Sequence, residues 1–478
     1  MSVAVARGES PVYAEAFGLA DVEEGRPATT GTAYLLASIT KPITATAVCL
    51  AAEAGLLGLD DPVEKYLDGL WLPRRRGRGA PTVRQVLQHR AGLGGHYDFA
   101  YAPISRLAVR QAIERYGTLY REPGSGFEYS NLGYGVLDVV LRTATGQDPA
   151  VFVKDHVFGP LGLASCRIGP AYRGPAQEAA RYAANGGRYP VYDTSHRGAS
   201  LAWATASDLA MFGLSHAGAP SVLGAASMAA MQDALPADSG LGYGLGWFLS
   251  HEGPHAIASH SGSMGGVATM LVVVPELRLA ACVLTNRTGA AVRDSVLGHL
   301  MGELIPGFTK ASLPPGGAPA REMTIPSGTW EGHIDTHVRN IPLILNVRNG
   351  QVEASLDGDG PVAAQMVTAT GDWDLHAHFA MQLPTPDARA DSPLLDLDLN
   401  QQDGVLAGAA RSLKNGEQDG RVGNYLSHWC ELRPFNRLFL SPQDPLEGRA
   451  RGPVFLTHRR PRTGEVLGRT ASPPAPPA

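Results

Sequence analysis

Ser38-Ile-Thr-Lys41, with the helix-like run Pro42–Gly55 behind it, is the most informative stretch of this chain. On a helix, residues three positions apart lie on the same face, so the Lys41 ammonium can lie beside the Ser38 hydroxyl. A serine hydroxyl becomes an effective nucleophile when a base takes its proton, and a lysine is that base when its pKa is lowered. The apolar residues before the serine, 33–37, favour a desolvated lysine. The spacing predicts a serine nucleophile with a lysine partner, although an N-cap serine followed by a solvated lysine gives the same four letters.

Tyr129-Ser-Asn131 lies in a glycine-containing segment, Pro123–Tyr134, and offers two further chemical groups. A tyrosine near a lysine can have its phenol pKa lowered and can pass a proton to a leaving group. The Asn131 amide can orient a substrate carbonyl. The same segment fits a turn that leads into a helix at Leu132–Thr145, with Ser130 or Asn131 as its N-cap. Both interpretations can hold together, because a cap would fix the tyrosine and the asparagine in place.

His260-Ser-Gly-Ser-Met-Gly-Gly266 precedes two strand-like runs, Val267–Val274 and Leu279–Leu284. Small residues after a histidine on an edge strand let a substrate backbone approach closely. The backbone N–H of Ser263, together with that of Ser38, is then a candidate oxyanion hole. Taken alone, the segment favours a glycine-rich approach to a hairpin, with a structural histidine.

In this order, Ser-x-x-Lys, Tyr-x-Asn and His-x-Gly resemble the three motifs of the penicillin-recognising serine hydrolases. The chain is similar to the class C β-lactamase-related branch, which includes family VIII carboxylesterases, D-amino-acid peptidases and penicillin-binding-protein-like acyltransferases. Further stretches that resemble segments of this branch are Leu59–Tyr66, Thr82–Leu93, Ala204–Phe212 and Tyr243–Trp247. The resemblance covers about residues 1–300, and the presence of all motifs in order makes it far more specific than any one of them.

The resemblance implies a role for each candidate residue. The implied catalytic residues are Ser38, Lys41, Tyr129 and His260, and the implied substrate-binding residues are Asn131, Gly262 and Ser263. Ser38 would be acylated after activation by Lys41, and Tyr129 would act as general base and acid. His260 stands where true β-lactamases carry the lysine of Lys-Thr-Gly. Because a histidine is mostly neutral at pH 7, we expect esters or amides as substrates, with weak β-lactam hydrolysis at most.

The expected fold is α+β, with an antiparallel sheet flanked by helices as in β-lactamases and transpeptidases, followed by a C-terminal antiparallel β-barrel or sandwich. The pattern predicts a catalytic domain at 1–308, a linker at 309–326, a β module at 327–434 and a disordered tail rich in proline and arginine at 435–478. Alternating runs with Asn349-Gly350 between them indicate hairpins in the β module. Gly328-Thr-Trp330 resembles the start of lipocalin-like barrels, which implies a lipocalin-like module.

The chain opens on a predicted hairpin, Ser2–Phe17, that turns at Gly8-Glu9. Members of the family usually have a long helix before this hairpin. Without such a helix, we expect the helix at about 290–304 to cover that face of the sheet alone.

Composition narrows the class of protein. The 478 residues carry a formal net charge of −5, which argues against a broad nucleic-acid surface. Four scattered cysteines argue against a disulfide framework, and no apolar run reaches the ~18 residues of a membrane span. With no signal-peptide pattern at its start, the chain is expected in the cytoplasm, or outside it if the true start lies upstream. No cofactor or metal is expected, and His376-Ala-His378 is interpreted as two side chains on one face of a strand.

The sequence therefore predicts a serine hydrolase that cleaves small carboxylic esters or D-amino-acid amide or peptide bonds through an acyl-enzyme. The alternative is an acyltransferase or a peptide-cyclising thioesterase, in which an amine attacks the acyl-enzyme instead of water. A second alternative is a non-catalytic acyl-binding scaffold, but the intact set of four candidate catalytic residues argues against it. The expected partner is a small-molecule ester, amide or peptide, and the acyl group, the stereochemical preference and the oligomeric state stay open.

Overall fold

Helices and strands alternate through the first 304 residues, and strands alone follow in the part of the chain that is described. The computed structural model describes residues 1–75, 79–102, 105–236, 241–308, 322–323, 325–370, 372–388, 392–414 and 423–435. The helices are α1 Thr40–Glu53, α2 Val83–Leu87, α3 Val109–Tyr116, α4 Asn131–Thr145, α5 Pro149–Val153, α6 Arg197–Ser200, α7 Ala206–Leu214, α8 Ala225–Met231 and α9 Ala291–Leu304. Short 3-10 turns lie at Ala37–Ile39, Val63–Tyr66 and Pro275–Leu277, and a π-helical turn lies at Lys154–Phe158.

The strands up to residue 285 are mostly short. They are β1 Ser2–Arg7, β2 Ser10–Ala16, β3 Leu19–Asp21, β4 Arg26–Pro27, β5 Thr32–Leu35, β6 Phe99–Tyr101, β7 Arg167–Ile168, β8 Gln177–Glu178, β9 Tyr192–Thr194, β10 Ala202–Ala204, β11 Leu235–Pro236, β12 Gly242–Tyr243, β13 Phe248–Glu252, β14 His255–Met264, β15 Val267–Val274 and β16 Leu279–Thr285.

The main N-terminal sheet joins the first strand of the chain to strands near residue 280. Within the described residues it has eight antiparallel strands in the order β11-β12-β13-β14-β15-β16-β1-β2. β1 pairs with β2 across the turn at Gly8-Glu9 and with β16 on its other side, where Ser2 lies opposite Leu284. The predicted opening hairpin and the two predicted runs that became β15 and β16 are therefore confirmed.

β15 and β16 are apolar except for one threonine each because both faces of the sheet are covered. Every residue of these two strands is buried. α7 packs on one face, where its Gly213 lies so close to Leu271 that a Cβ would be 2.9 Å from the leucine side chain. On the other face, Leu297 and Met301 of α9 share a core with Val272. In the described part of the chain α9 is the helix on this face, as predicted.

α1 is a buried helix rather than an amphipathic one. Eleven of its 14 residues are buried, and most of them are small. Small side chains let neighbouring helices approach closely, and Thr44 Oγ1 donates a hydrogen bond of 2.7 Å to the carbonyl of Gly198 in α6. The helix ends at Ala54–Gly55, where Gly55 has a φ of +70°. The predicted helix after Ser38 is confirmed, and its first turn lies deep inside the molecule.

The C-terminal module is one antiparallel sheet. Its strands are β17 Gly328–Asp335, β18 Asn340–Arg348, β19 Gln351–Leu356, β20 Val362–Ala363, β21 Met366–Thr368, β22 Leu375–Phe379, β23 Leu394–Gln402, β24 Val405–Leu413 and β25 Tyr425–Pro434. In the described residues their order is β20-β19-β18-β17-β25-β24-β23-β22-β21. Leu345 of β18 and Phe379 of β22 share one core although their strands are far apart in this order, so the sheet curls on itself. The predicted antiparallel β module is confirmed, as a curled half-barrel.

His376 and His378 lie on the face of β22 that is turned away from this core. Each donates its Nδ1–H to an aspartate of β23, to Asp398 and Asp396 respectively, at 2.5 Å. The register of the two strands places these residues opposite each other. Among the described residues, no group of three or more histidine, cysteine, aspartate or glutamate side chains is arranged to hold a metal ion.

Two predicted segments fall mostly outside the described residues, namely the linker at 309–326 and the tail at 435–478. Where the chain is described, no helix is both long and apolar enough to cross a membrane. The four cysteines are buried free thiols.

Six buried histidines should make the fold sensitive to acid; they are His89, His96, His196, His216, His260 and His428. Burial lowers the pKa of His96 and His260 to about 3 and of the other four to about 4 or well below the usual value. An unfolded histidine takes up a proton near pH 6.5, so the stability they contribute is present above pH 6.5 and is lost as the pH falls towards 4. His96, His216, His260 and His428 each cost about 2 kcal/mol at pH 5.

Burial also raises the pKa of Asp98 to about 6 and of Asp138 to about 7, and these two carboxyls act in the opposite sense. They stabilise the fold below pH 4 and lose that effect as the pH rises through 6 and 7. Because the histidines outnumber them, we expect Tm to fall by at least several degrees between pH 7 and pH 5 in a calorimetric scan. A Tm that stays level or rises over this interval would contradict the prediction.

Candidate active site

Ser38 lies in the 3-10 turn Ala37–Ile39 that leads directly into α1. The residue before it, Ala37, has a φ of +51°, a left-handed conformation that an alanine rarely adopts. Thr40 holds this turn, because its Oγ1 donates to the Ala37 carbonyl at 2.6 Å and accepts from the Ala202 N–H at 2.9 Å. The serine is only half-buried, so the turn presents its hydroxyl at the end of a buried helix.

Lys41 is fully buried one helical turn behind the serine. Its Nζ lies 3.1 Å from Ser38 Oγ, 2.6 Å from Asn131 Oδ1 and 3.2 Å from the Ala199 carbonyl oxygen. All three oxygens are uncharged, and burial lowers the pKa of Lys41 well below its usual value. An uncharged amine beside a serine hydroxyl can accept the proton of that hydroxyl.

Asn131 is the first residue of α4, and Ser130 caps this helix by accepting from the Gly133 N–H at 3.2 Å. The predicted helix and its cap are confirmed. Because the Asn131 side-chain oxygen accepts from Lys41, its amide nitrogen is left to donate elsewhere. The structure therefore brings Asn131 close to Ser38 through the lysine, a contact that the sequence pattern does not show.

Tyr129 meets the same two residues from another side. Its phenol is hydrogen-bonded to Ser38, and Lys41 Nζ lies 4.6 Å from the centre of its ring. Burial raises the pKa of Tyr129, which corrects the expectation that the lysine lowers it. The reason is that the lysine is itself desolvated and supplies little positive charge. Tyr129 is therefore a neutral phenol that can donate or relay a proton.

His89 is a site residue that sequence reasoning missed. Its Nδ1 accepts from the Ser130 N–H at 3.1 Å, and its ring lies 4.2 Å from the ring of Tyr129, centre to centre. It adopts a φ of +56° inside the loop after α2. The stretch Thr82–Leu93 marked this loop only by family resemblance, and a single histidine in a loop gives no pattern of its own. His89 fixes the backbone that carries Tyr129.

His260 lies on β14, behind the cluster formed by the serine, lysine and tyrosine. It is buried, its Nδ1–H donates to the Ser261 carbonyl at 2.7 Å, and its Nε2 accepts from the Tyr243 hydroxyl at 3.2 Å. Its ring centre is 6.4 Å from that of Tyr129. Burial lowers the pKa of His260 to about 3, so it carries no positive charge at neutral pH.

Gly262 lets β14 touch the segment that precedes Ser38. A Cβ on Gly262 would lie 2.0 Å from the Leu36 carbonyl oxygen and 2.2 Å from Thr269 Oγ1. Thr269 Oγ1 in turn donates to that carbonyl at 2.8 Å. Ser263 follows on the same strand and is exposed, at the point where β14 meets the Ser38 turn. Whether its N–H completes an oxyanion hole remains a prediction.

A Gly262→Ala substitution tests this close approach. The added methyl must push β14 away from the Ser38 turn, so we expect kcat/KM for an activated ester to fall by about 10- to 100-fold, since small misplacements cost that much. The free energy of unfolding should fall by about 1–3 kcal/mol, as for other overpacked sites. Gly302→Ala, on the exposed side of α9 where a Cβ meets nothing within 4 Å, is the control. Equal activities of the two variants would disprove the tight contact.

Comparison with known proteins identifies the family. Residues 1–304 match the β-lactamase family model. The chain belongs to the β-lactamase family. Among curated β-lactamase-family relatives, penicillin-binding protein 4* of Bacillus subtilis is 29% identical over 313 residues, which are 60% of this chain and 68% of that protein. Esterase EstB of Burkholderia gladioli is 37% identical over 182 residues, which are 34% of this chain and 45% of EstB.

Solved structures of the β-lactamase fold resemble the chain over different lengths. A crystal structure of SurE has a TM-score of 0.60 at 24% identity and covers 89% of this chain and 94% of its own. EstCE1, described as a hydrolase with promiscuous acyltransferase activity, has a TM-score of 0.52 at 22% identity and covers 62% of this chain and 93% of its own. At these identities the likeness shows the fold alone. The predicted β-lactamase-like fold is confirmed.

Proposed function

We propose that this β-lactamase-family protein is a serine hydrolase that forms an acyl-enzyme on Ser38 and cleaves small carboxylic esters or D-amino-acid amide or peptide bonds. The observation that carries the proposal is the 3.1 Å contact between Ser38 Oγ and the buried Lys41 amine. A hydroxyl, an uncharged amine and a phenol meet at one point, which is the arrangement that nucleophilic catalysis requires. The esterase among the relatives supports this class of reaction.

In the proposed reaction, Lys41 takes the Ser38 proton while Oγ attacks the substrate carbonyl carbon. The backbone N–H groups of Ser38 and Ser263 would stabilise the negative charge that develops on the carbonyl oxygen. Tyr129 passes a proton to the leaving group as the bond to it breaks, which leaves an ester on Ser38. Water then attacks this ester, and its proton passes through Lys41 and Tyr129 to Ser38 Oγ as the bond from Oγ to the acyl carbon breaks. The acid leaves and the Ser38 hydroxyl is restored.

The charge of His260 bears on the choice of substrate. A histidine with a pKa of about 3 offers no cation for the carboxylate of a β-lactam at neutral pH. We therefore propose that esters and amides are turned over much faster than β-lactams.

The test compares wild-type turnover of p-nitrophenyl butyrate, D-alanine p-nitroanilide, L-alanine p-nitroanilide and the β-lactam nitrocefin. We expect the ester or the D-amide to exceed nitrocefin by at least about 100-fold in kcat/KM, the discrimination that one unmet charge can give. Intact mass after rapid acid quenching should show the acyl group on the protein. Nitrocefin as the fastest substrate, or no turnover of any of the four, would refute the proposal.

Acyl transfer is the second candidate, because the fold is shared with a hydrolase described as having promiscuous acyltransferase activity. The same acyl-enzyme serves both reactions, and only the attacking group differs. Adding glycinamide to the ester assay distinguishes them. A rise in amide product at the expense of free acid indicates transfer, and an unchanged product indicates hydrolysis.

A further inference from the structure

Glu128, the residue before Tyr129, is tied to the C-terminal sheet. Its Oε1 accepts from Arg411 Nη2 of β24 at 3.0 Å, and its Oε2 lies 3.7 Å from Arg121. The Glu128 backbone N–H donates to the His89 carbonyl at 2.8 Å. One residue therefore links the C-terminal sheet to the backbone that carries the phenol of the active site, over a sequence separation of 283 residues.

Arg411 is held on all sides. Only 3% of its surface is exposed, and besides Glu128 it is paired with Asp398 of β23. Asp398 also accepts from His376, which fixes the carboxylate from the far side. The guanidinium lies 5.7 Å from the ring of Trp373 and 5.5 Å from the ring of Tyr425, to which it is also hydrogen-bonded. A buried arginine between two carboxylates adds little to the net stability of the fold. Its position is nevertheless fixed, because any movement away from either carboxylate leaves a buried charge without its partner.

β25 adds a second contact close to Tyr129. Tyr425 and Tyr97 exchange two backbone hydrogen bonds of 2.9 and 3.0 Å, and Ser427 Oγ donates to the Gly95 carbonyl at 2.5 Å. Gly95 packs tightly between the C-terminal sheet and the Tyr129 backbone, because a Cβ on Gly95 would lie 2.9 Å from the Tyr425 ring and 3.5 Å from the Tyr129 carbonyl oxygen. The Tyr129 backbone and the Tyr425 ring of the C-terminal sheet therefore lie on either side of a position, Gly95, that has no room for a side chain.

We propose that Arg411 is a positioning residue that holds Tyr129 at Ser38 through Glu128, which makes the C-terminal sheet a part of the catalytic apparatus. This inference rests on the proposed function, in which Tyr129 protonates the leaving group. A displaced phenol would impair that proton transfer more than it impairs the attack of Ser38.

The leaving group therefore supplies the test. p-Nitrophenolate departs without a proton, whereas the ethoxide of an ethyl ester requires one, so the two butyrate esters separate attack from protonation. We expect Arg411→Lys and Glu128→Gln to lower kcat/KM, which reports acylation and not the deacylation that both esters share, by about 10- to 100-fold for ethyl butyrate and by about threefold or less for p-nitrophenyl butyrate. Tyr129→Phe should show the same pattern, and Arg411→Lys should add nothing to Tyr129→Phe in the double variant.

Arg433→Gln is the matched control, because this arginine lies in the same sheet, is exposed and pairs only weakly with Glu431 at 3.2 Å. Glu128→Gln leaves the pair of Arg411 and Asp398 in place and so guards against misfolding of the arginine variant. Equal losses for both esters, or variants that match Arg433→Gln, would overturn the positioning role while the proposed function stands. If the wild-type protein forms no acyl-enzyme, the proposed function falls and this inference falls with it.

Discussion

A Ser38→Ala variant will keep its fold and lose its turnover. The hydroxyl accepts a hydrogen bond from Lys41 and is half-buried, so its removal leaves no large cavity and should change Tm by a few degrees at most. Turnover of p-nitrophenyl butyrate should fall by at least about 10⁴-fold, because without the nucleophile only binding and oxyanion stabilisation remain. The measurement is the initial rate of ester hydrolysis beside a thermal melt of the same sample.

Covalent labelling with a fluorophosphonate probe, which reacts with an activated serine, tests the same prediction. The wild-type protein should gain one adduct in its intact mass, and Ser38→Ala should gain none. Ser125→Ala is the control, because Ser125 lies in an exposed turn and bonds only to the Glu122 carbonyl at 2.7 Å. Labelling of Ser38→Ala at the wild-type rate would place the nucleophile elsewhere.

A Lys41→Met variant should become more stable while it loses activity. Methionine fills the volume of the lysine stem but has no base, so kcat/KM should fall by about 10²–10⁴-fold. The pKa of Lys41 is far lower in the folded protein than in the unfolded chain, so the contribution of Lys41 to stability is complete only above pH 10.5 and is lost as the pH falls. At pH 7 the native lysine is therefore destabilising, and its removal should raise Tm.

Measuring kcat/KM and Tm of the same variant separates a catalytic lysine from a structural one. Lys65→Met is the control, because Lys65 is exposed and bonds to Asp61 at 2.7 Å, so its loss should change neither activity nor Tm appreciably. The acid limb of the pH–rate profile should also disappear in Lys41→Met, because the group that titrates is gone. A variant that is both less active and less stable would indicate a structural lysine instead.

Local geometry could be predicted from the sequence, and long-range contacts could not. The contact between Ser38 and Lys41 follows from the helical repeat, and the cap at Ser130 follows from residue type. The contact of Lys41 with Asn131, over 90 residues, has no local signature. The pKa of Tyr129 differs from the sequence-based prediction for the same reason, because burial is a property of the packed molecule and outweighs a neighbouring amine.

The C-terminal sheet illustrates the same limit. Its turn at Asn349-Gly350 could be predicted, because a two-residue hairpin requires positive φ at both residues and Asn-Gly favours that conformation. The observed φ values are +51° and +79°. The hydrogen bond between Arg411 of this sheet and Glu128 could not be predicted. Neither an arginine in a strand nor a glutamate before a tyrosine has a sequence pattern that identifies the other as its partner. The part of the site that depends on local backbone was therefore predictable, and the part built from distant segments required the structure.

The pairing of β1 with β16 delays completion of the N-terminal sheet until late in the synthesis of the chain. β1 is synthesised long before its partner, because Arg7 pairs with Leu279, which lies 272 residues further along the chain. At a synthesis rate of about 5–20 residues per second, β1 remains on the ribosome for roughly 15–55 s before β16 exists. During this time Val3 and Val5, which are buried in the finished protein, have no core to enter. Until β16 exists, β2 is the sheet neighbour of β1 that is already available, because it follows β1 directly in the chain and pairs with it.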